Sequence, residues 1–122
     1  MKLPRLFQPS NSQGVKSEKQ ALAYLQKQGL SLICRNYYCR FGEIDLIMRD
    51  QDTLVFIEVR YRKNNDFGGA FASITKRKQD KIIKTAKHYL AQLENEPYCR
   101  FDAIAIDQQA STPQWIQNAF LE

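Results

Sequence analysis

The segment that most constrains this chain is Leu54-Val55-Phe56-Ile57-Glu58-Val59-Arg60-Tyr61-Arg62, a β-branched and aromatic run interrupted by a carboxylate. Side chains alternate faces along a strand, so Val55, Ile57, Val59 and Tyr61 share one side, and Phe56, Glu58, Arg60 and Arg62 share the other. Burying the apolar residues carries Glu58 toward the core, where a lone charge is costly and needs a partner or a metal. Upstream, Gly42-Glu43-Ile44-Asp45-Leu46-Ile47 forms a second strand candidate on which Glu43 and Asp45 point the same way. The short polar link Asp50-Gln51-Asp52 makes the two strands a hairpin, which can set Asp45 and Glu58 on one face of the sheet.

Around this hairpin the pattern is simple. Ala21, Leu22 and Leu25 recur at helical spacing between about Lys16 and Gln28, and Gly29 supplies a stop. Leu30 to Tyr38 is rich in β-formers. After the loop Asn64-Asn65-Asp66-Phe67-Gly68-Gly69, a long helix is expected from about Thr75 to Asn95, burying Ile82, Ile83, Ala86, Tyr89, Leu90 and Leu93. Phe101 to Ile106 is a short strand, and Trp115 to Phe120 a weaker final one. The order α-β-β-β-α-β, with one further β, predicts an α/β fold with a central mixed sheet flanked by helices. Residues 1–13, with Pro4, Pro9 and a polar run, form an expected mobile arm, and residues 14–122 a single domain.

Net charge is +5, from 18 Lys+Arg against 13 Asp+Glu, but its distribution says more. Between Arg60 and His88 stand Arg60, Arg62, Lys63, Lys76, Arg77, Lys78, Lys81, Lys84 and Lys87 against only Asp66 and Asp80. A concentrated basic surface attracts polyanions such as a phosphate backbone, and Arg60, Arg62, Lys63, Lys76, Arg77, Lys78 and Lys81 are the candidate nucleic-acid contacts. A solvated lysine-rich helix face is the plainer explanation. No apolar run approaches the roughly 20 residues that span a bilayer, so no membrane partner is expected. The N-terminus lacks the apolar stretch of a signal peptide, so the expected compartment is the cytoplasm. Cys34, Cys39 and Cys99 fit reduced thiols used in packing.

Converging carboxylates with open space suit Mg²⁺ or Mn²⁺, since Mg²⁺ takes one or two carboxylates plus water and substrate phosphate. Glu18 stands four before Leu22 on the apolar stripe of its helix, and Lys78 stands four before Ile82 on the stripe of the long helix. Both can therefore approach an Asp45/Glu58 site. Structural explanations stand beside these roles: a cross-strand salt bridge from Glu58 to Arg60, Arg62 or Arg49, a first-turn position for Glu18, and a snorkelling Lys78.

The strings just quoted, with Phe67-Gly68, Lys78 before a helix, Arg100-Phe101-Asp102-Ala103-Ile104-Ala105-Ile106 and Trp115-Ile116-Gln117-Asn118-Ala119-Phe120, resemble the YraN-like family of small bacterial proteins from about Gly14 onward. That family is similar to the PD-(D/E)xK nucleases, Holliday-junction resolvases among them. The resemblance implies a restriction-endonuclease-like core. Its motif aspartate falls on Asp45, its second acid on Glu58, and the helix acid of the resolvase-like branch on Glu18. Metal ligation would fall to Glu18, Asp45 and Glu58, and catalysis to Asp45, Glu58, Arg60 and Lys78. The motif's lysine falls on position 60, where this chain has Arg60. A guanidinium stays charged and cannot act as a base, though it can stabilise a phosphate transition state. Lys78 is the alternative source of an ammonium. The expectation is a Mg²⁺-dependent endonuclease-like phosphodiesterase on structured or branched DNA, favoured over RNA. The alternative is a non-catalytic nucleic-acid-binding module on the same fold. A homodimer follows only by analogy with resolvases.

Overall fold

A computed structural model describes residues 12–62, 70–107 and 112–121. The expected arm lies largely outside them, as do Lys63 and the loop Asn64–Gly69. Chain order is α1 (Ser12–Lys27), β1 (Ser31–Cys39), β2 (Gly42–Asp50), β3 (Thr53–Arg62), a 3-10 turn (Ala70–Ser73), α2 (Lys76–Leu90), β4 (Tyr98–Asp107) and β5 (Gln114–Phe120). The strands form one five-stranded sheet in the order β1-β2-β3-β4-β5. Pairing is antiparallel except between β3 and β4, which run parallel, so the sheet is mixed as expected. Among the described residues no helix is long and apolar enough to cross a membrane.

Alternation along β3 builds two cores. Val55 and Ile57 pack with Ala21 and Leu25 of α1 and with Ile104 and Ile106 of β4. Leu54 and Phe56 pack with Ile82, Ile83 and Ala86 of α2 and with Phe101 and Phe120. One helix therefore covers each face, which buries the middle of β3 on both sides and explains its unbroken apolar start. On the α2 side, Phe56 stacks on Phe101 (centroids 5.4 Å) and Phe101 on Phe120 (5.1 Å).

Several boundaries differ from expectation. Helix α1 starts at Ser12, inside the expected arm. Helix α2 ends at Leu90 rather than near Asn95, and Leu93 is 36% exposed instead of buried. Its last bonds tighten to i→i−3, from Gln92 N to Tyr89 O and from Leu93 N to Leu90 O. The Gln92 side chain meanwhile turns back to the Tyr37 hydroxyl and the His88 carbonyl. At its start, Thr75 caps the helix by accepting from Lys78 N. Strand β4 begins directly after Pro97 and is longer than the short strand expected. The cysteines are free, with Cys39 buried but Cys99 exposed, so packing accounts for only some of them.

Candidate active site

The β2–β3 ladder runs from Asp50↔Thr53 to Leu46↔Ile57 and stops there. The next donor on β3, Val59 N, gives its hydrogen bond to the Asp45 carboxylate (Oδ2, 2.8 Å) instead of to a β2 carbonyl. An acid thus replaces the ladder at a fork between two strands. Glu58 stands beside it and is hydrogen-bonded to Asp45. The structure therefore brings together the two acids that the hairpin pattern paired.

Two more carboxylates face the fork. Asn36 on β1 lies beside Asp45, because the β1–β2 register passes from Arg35↔Leu46 to Tyr37↔Ile44. Its Nδ2 donates to Glu18 Oε2 (2.7 Å) and to Glu43 Oε2 (3.3 Å), tying helix α1 to β2. Asn36 has a φ of 52°, a left-handed conformation in mid-strand that asparagine tolerates better than most residues. Arg35 NH2 also approaches Glu18 Oε1 at 3.5 Å. Asn36 was invisible as a site residue in the sequence, where it is one polar residue in a β-rich run. The nearest hint was its ability to occupy left-handed backbone. Replacing it with alanine removes both hydrogen bonds and strains the backbone. Asn36→Ala is expected to lower stability by about 1–3 kcal/mol, measured by urea unfolding.

The basic side chains take different places. Arg60 NH2 sits 2.8 Å from Glu58 Oε2, while its Nε is buried without a hydrogen-bond acceptor. Arg62 is engaged with Asp107 across the parallel pair, donating from Nε (3.1 Å) and NH2 (2.7 Å). Lys76 pairs with Asp80 at 3.1 Å. Lys78 is exposed rather than turned to the core, although its charge reaches Glu58. Arg77 and Lys81 are exposed as well.

Electrostatics at the fork follow from this crowding. Burial first, and then the Glu58 carboxylate, hold the Asp45 carboxyl well above the ordinary carboxylate range. The Val59 N–H opposes that shift, and Glu18 and Glu43 add to it. Burial also raises Glu58, against the pull of Arg60, the hydrogen bond to Asp45 and the field of Lys78. The pair keeps a proton at pH values where isolated carboxylic acids have lost theirs. Because the folded pKa values lie above the unfolded ones, the folded state binds more protons across that window. The pair's contribution to stability is complete below the ordinary carboxylate value and is lost as pH rises through the raised values. Metal-free protein is therefore expected to lose stability as pH rises through that window, and Asp45→Asn to flatten the dependence, read from urea midpoints against pH.

Among the described residues, no group of three or more His, Cys, Asp or Glu side chains is arranged to hold a metal ion by itself. Glu18, held by Asn36 and Arg35, borders the Asp45–Glu58 pair. A pair of mutually repelling oxygen donors still fits a hard divalent cation that needs one or two carboxylates and keeps its waters.

The model of the uncharacterised protein family UPF0102 matches residues 17–106, which include Glu18, Asn36, Glu43, Asp45, Glu58, Arg60 and Lys78 and leave out β5. A UPF0102 protein of Psychromonas ingrahamii is 79% identical over 122 residues, covering 100% of both chains. One from Nitrosomonas europaea is 53% identical over 114 residues, covering 93% of this chain and 97% of its own. One from Pseudomonas fluorescens is 50% identical over 110 residues, covering 88% and 91%.

Proposed function

The chain belongs to the UPF0102 family, and on the geometry of its site we propose that it is a Mg²⁺- or Mn²⁺-dependent phosphodiesterase acting on nucleic acid, with structured or branched DNA preferred to RNA. The observation that carries the proposal is the hydrogen-bonded Asp45–Glu58 pair in the β2–β3 fork, bordered by Glu18 and Glu43. Most buried acids are neutralised by cationic or hydrogen-bonding partners; Asp45 is surrounded mainly by other acids.

Asp45 and Glu58 would each supply an oxygen to the cation. A bound divalent ion would polarise the scissile phosphate and lower the pKa of an attacking water. Glu18, fixed by Asn36, adds negative potential that favours a cation over a second shared proton. Arg60, whose buried Nε–H has no acceptor among the described residues, would turn toward a phosphate oxygen when one is bound. Permanently charged, it serves as electrostatic stabiliser and not as a base. Lys78, exposed in the first turn of α2, adds positive charge where a phosphate would approach. Symmetric cutting of a branched substrate needs two such sites, so a homodimer belongs to this proposal.

The 2.8 Å ion pair between Arg60 and Glu58 favours a second reading, in which the acids are internal salt-bridge partners and the fold only binds nucleic acid. Incubation with four-way-junction, linear duplex and single-stranded DNA, with Mg²⁺, Mn²⁺ or EDTA, separates the two. Metal-dependent products support the phosphodiesterase. Salt-sensitive binding with no cleavage under any condition supports the second reading.

A further inference from the structure

The turn joining β1 to β2 is seated on the middle of α2. A Cβ at Gly42, whose φ is +151°, would stand 3.3 Å from Thr85 Oγ1 and 3.9 Å from Lys81 Cβ, so a side chain there would crowd the helix. This seat places Phe41 at the hairpin tip, edge-on to His88 with ring centroids 6.3 Å apart and planes at 68°. The Tyr37 hydroxyl lies 2.6 Å from His88 Nδ1 and accepts from Gln92 Nε2 at 2.7 Å. The Arg40 guanidinium lies over the Phe41 ring, 4.8 Å from its centroid. Phe41 remains 37% exposed in this setting.

A large apolar ring at a surface turn, held by contacts that order it without burying it, needs a reason. The surrounding charge supplies one. Arg77, Lys81, Lys84 and His88 recur at i, i+4, i+7 and i+11, so they form one stripe along about 16 Å of α2 that ends at Phe41. All of them are exposed, as is Arg40. Phe41, the residue before β2, stands about 13 Å from Asp45, four residues on at strand rise. Aromatic rings interleaved with exposed cations are how single-stranded nucleic acid is held without regard to sequence.

We propose that Phe41, framed by Arg40 and His88, is a stacking platform for an unpaired nucleobase, with Arg77, Lys81 and Lys84 tracking the phosphates of the same strand. The inference rests on the nucleic-acid reading above and narrows it. The strand must offer a base that is not already stacked in a duplex, as in a flap, a gap or an opened junction arm. A base in continuous duplex has no free face to lay on a hairpin tip. The exposed cation–π contact now on the ring is weak, so an incoming base displaces it and leaves Arg40 to a phosphate.

The test is fluorescence anisotropy in EDTA, where no metal-dependent cutting occurs. Wild type, Phe41→Ala and Phe41→Trp are titrated against labelled oligothymidylate of about 15 nucleotides, the upper range for a single small domain. A duplex and a base-free (abasic) strand of the same length are run beside it. Phe41→Ala is expected to weaken oligothymidylate binding between about 5-fold and about 150-fold, leaving duplex and abasic binding unchanged. Phe41→Trp should retain affinity, and its added indole emission should be quenched by oligothymidylate above the Trp115 background. That readout decides the matter even if the alanine variant fails to fold. Equal weakening on all three ligands, no weakening on any, or an unquenched indole overturns the platform and leaves the nucleic-acid reading standing. Wild type that binds none of the three overturns both.

Discussion

Asp102→Ala is expected to lower the free energy of unfolding by about 3–5 kcal/mol, the largest stability effect of any polar substitution proposed for this chain. Asp102 is fully buried in β4, at the irregularity where the β4–β5 ladder shifts between Phe101 and Ala103. Its carboxylate accepts from Arg100 Nε (3.1 and 3.2 Å), from Trp115 Nε1 (3.0 Å) and from Asn118 N (3.0 Å). Arg100 in turn reaches Asp50 at 3.0 Å, which ties β4 to the end of β2. Removing the carboxylate leaves a largely buried guanidinium, an indole N–H and a backbone N–H without their acceptor, and each unmet donor carries its own desolvation cost. Guanidinium denaturation followed by the emission of Trp115, the only tryptophan, reads the loss at its source.

Asp45→Ala should behave in the opposite way. Without metal it is expected to stay within about 1 kcal/mol of wild type at neutral pH, because the cost of leaving the Val59 N–H without its acceptor is offset by deleting an acid that burial and its neighbours hold above its ordinary range. Metal-dependent cleavage should fall about 10³-fold, the effect of losing about 4 kcal/mol of metal-assisted transition-state stabilisation. The contrast between the two aspartates would separate a structural carboxylate from one proposed to hold a cation. Both replace a ladder acceptor at a break in strand pairing, Asp45 for Val59 N and Asp102 for Asn118 N. Asp102 is saturated by donors, whereas Asp45 has one backbone donor and is surrounded by acids. Single-turnover cleavage beside urea unfolding measures both halves of the expectation.

The hairpin and its acid pair were legible because they depend on short-range rules. Period-two alternation in Leu54–Arg62 and a two-residue turn bring Asp45 and Glu58 into contact whatever the rest of the chain does. Helix α1 and the basic character of α2 were legible for the same reason. What the sequence concealed depends on distant partners. Asp102 looked like an ordinary polar position on a short strand, because its burial follows from the parallel β3–β4 pairing and from cover by Trp115. The Arg100-x-Asp102 spacing, which puts both on one face, was the available hint. Asn36 gained its role only when α1 and β2 met across it. Helical spacing turns Lys78 inward, yet its first-turn position leaves it exposed. Leu93 continued the apolar stripe of α2 on paper, but the helix ends at Leu90 once Gln92 turns back to Tyr37 and His88.

Isothermal titration of Mn²⁺ and Mg²⁺, in two buffers of different protonation enthalpy, shows whether the fork between β2 and β3 binds a divalent cation. Wild type should bind with a buffer-dependent heat, because the cation displaces the proton held by the Asp45–Glu58 pair. Asp45→Ala and Glu58→Ala should each abolish that heat while remaining folded. Absence of binding by wild type, or binding that survives both substitutions, would rule out a cation site at the fork.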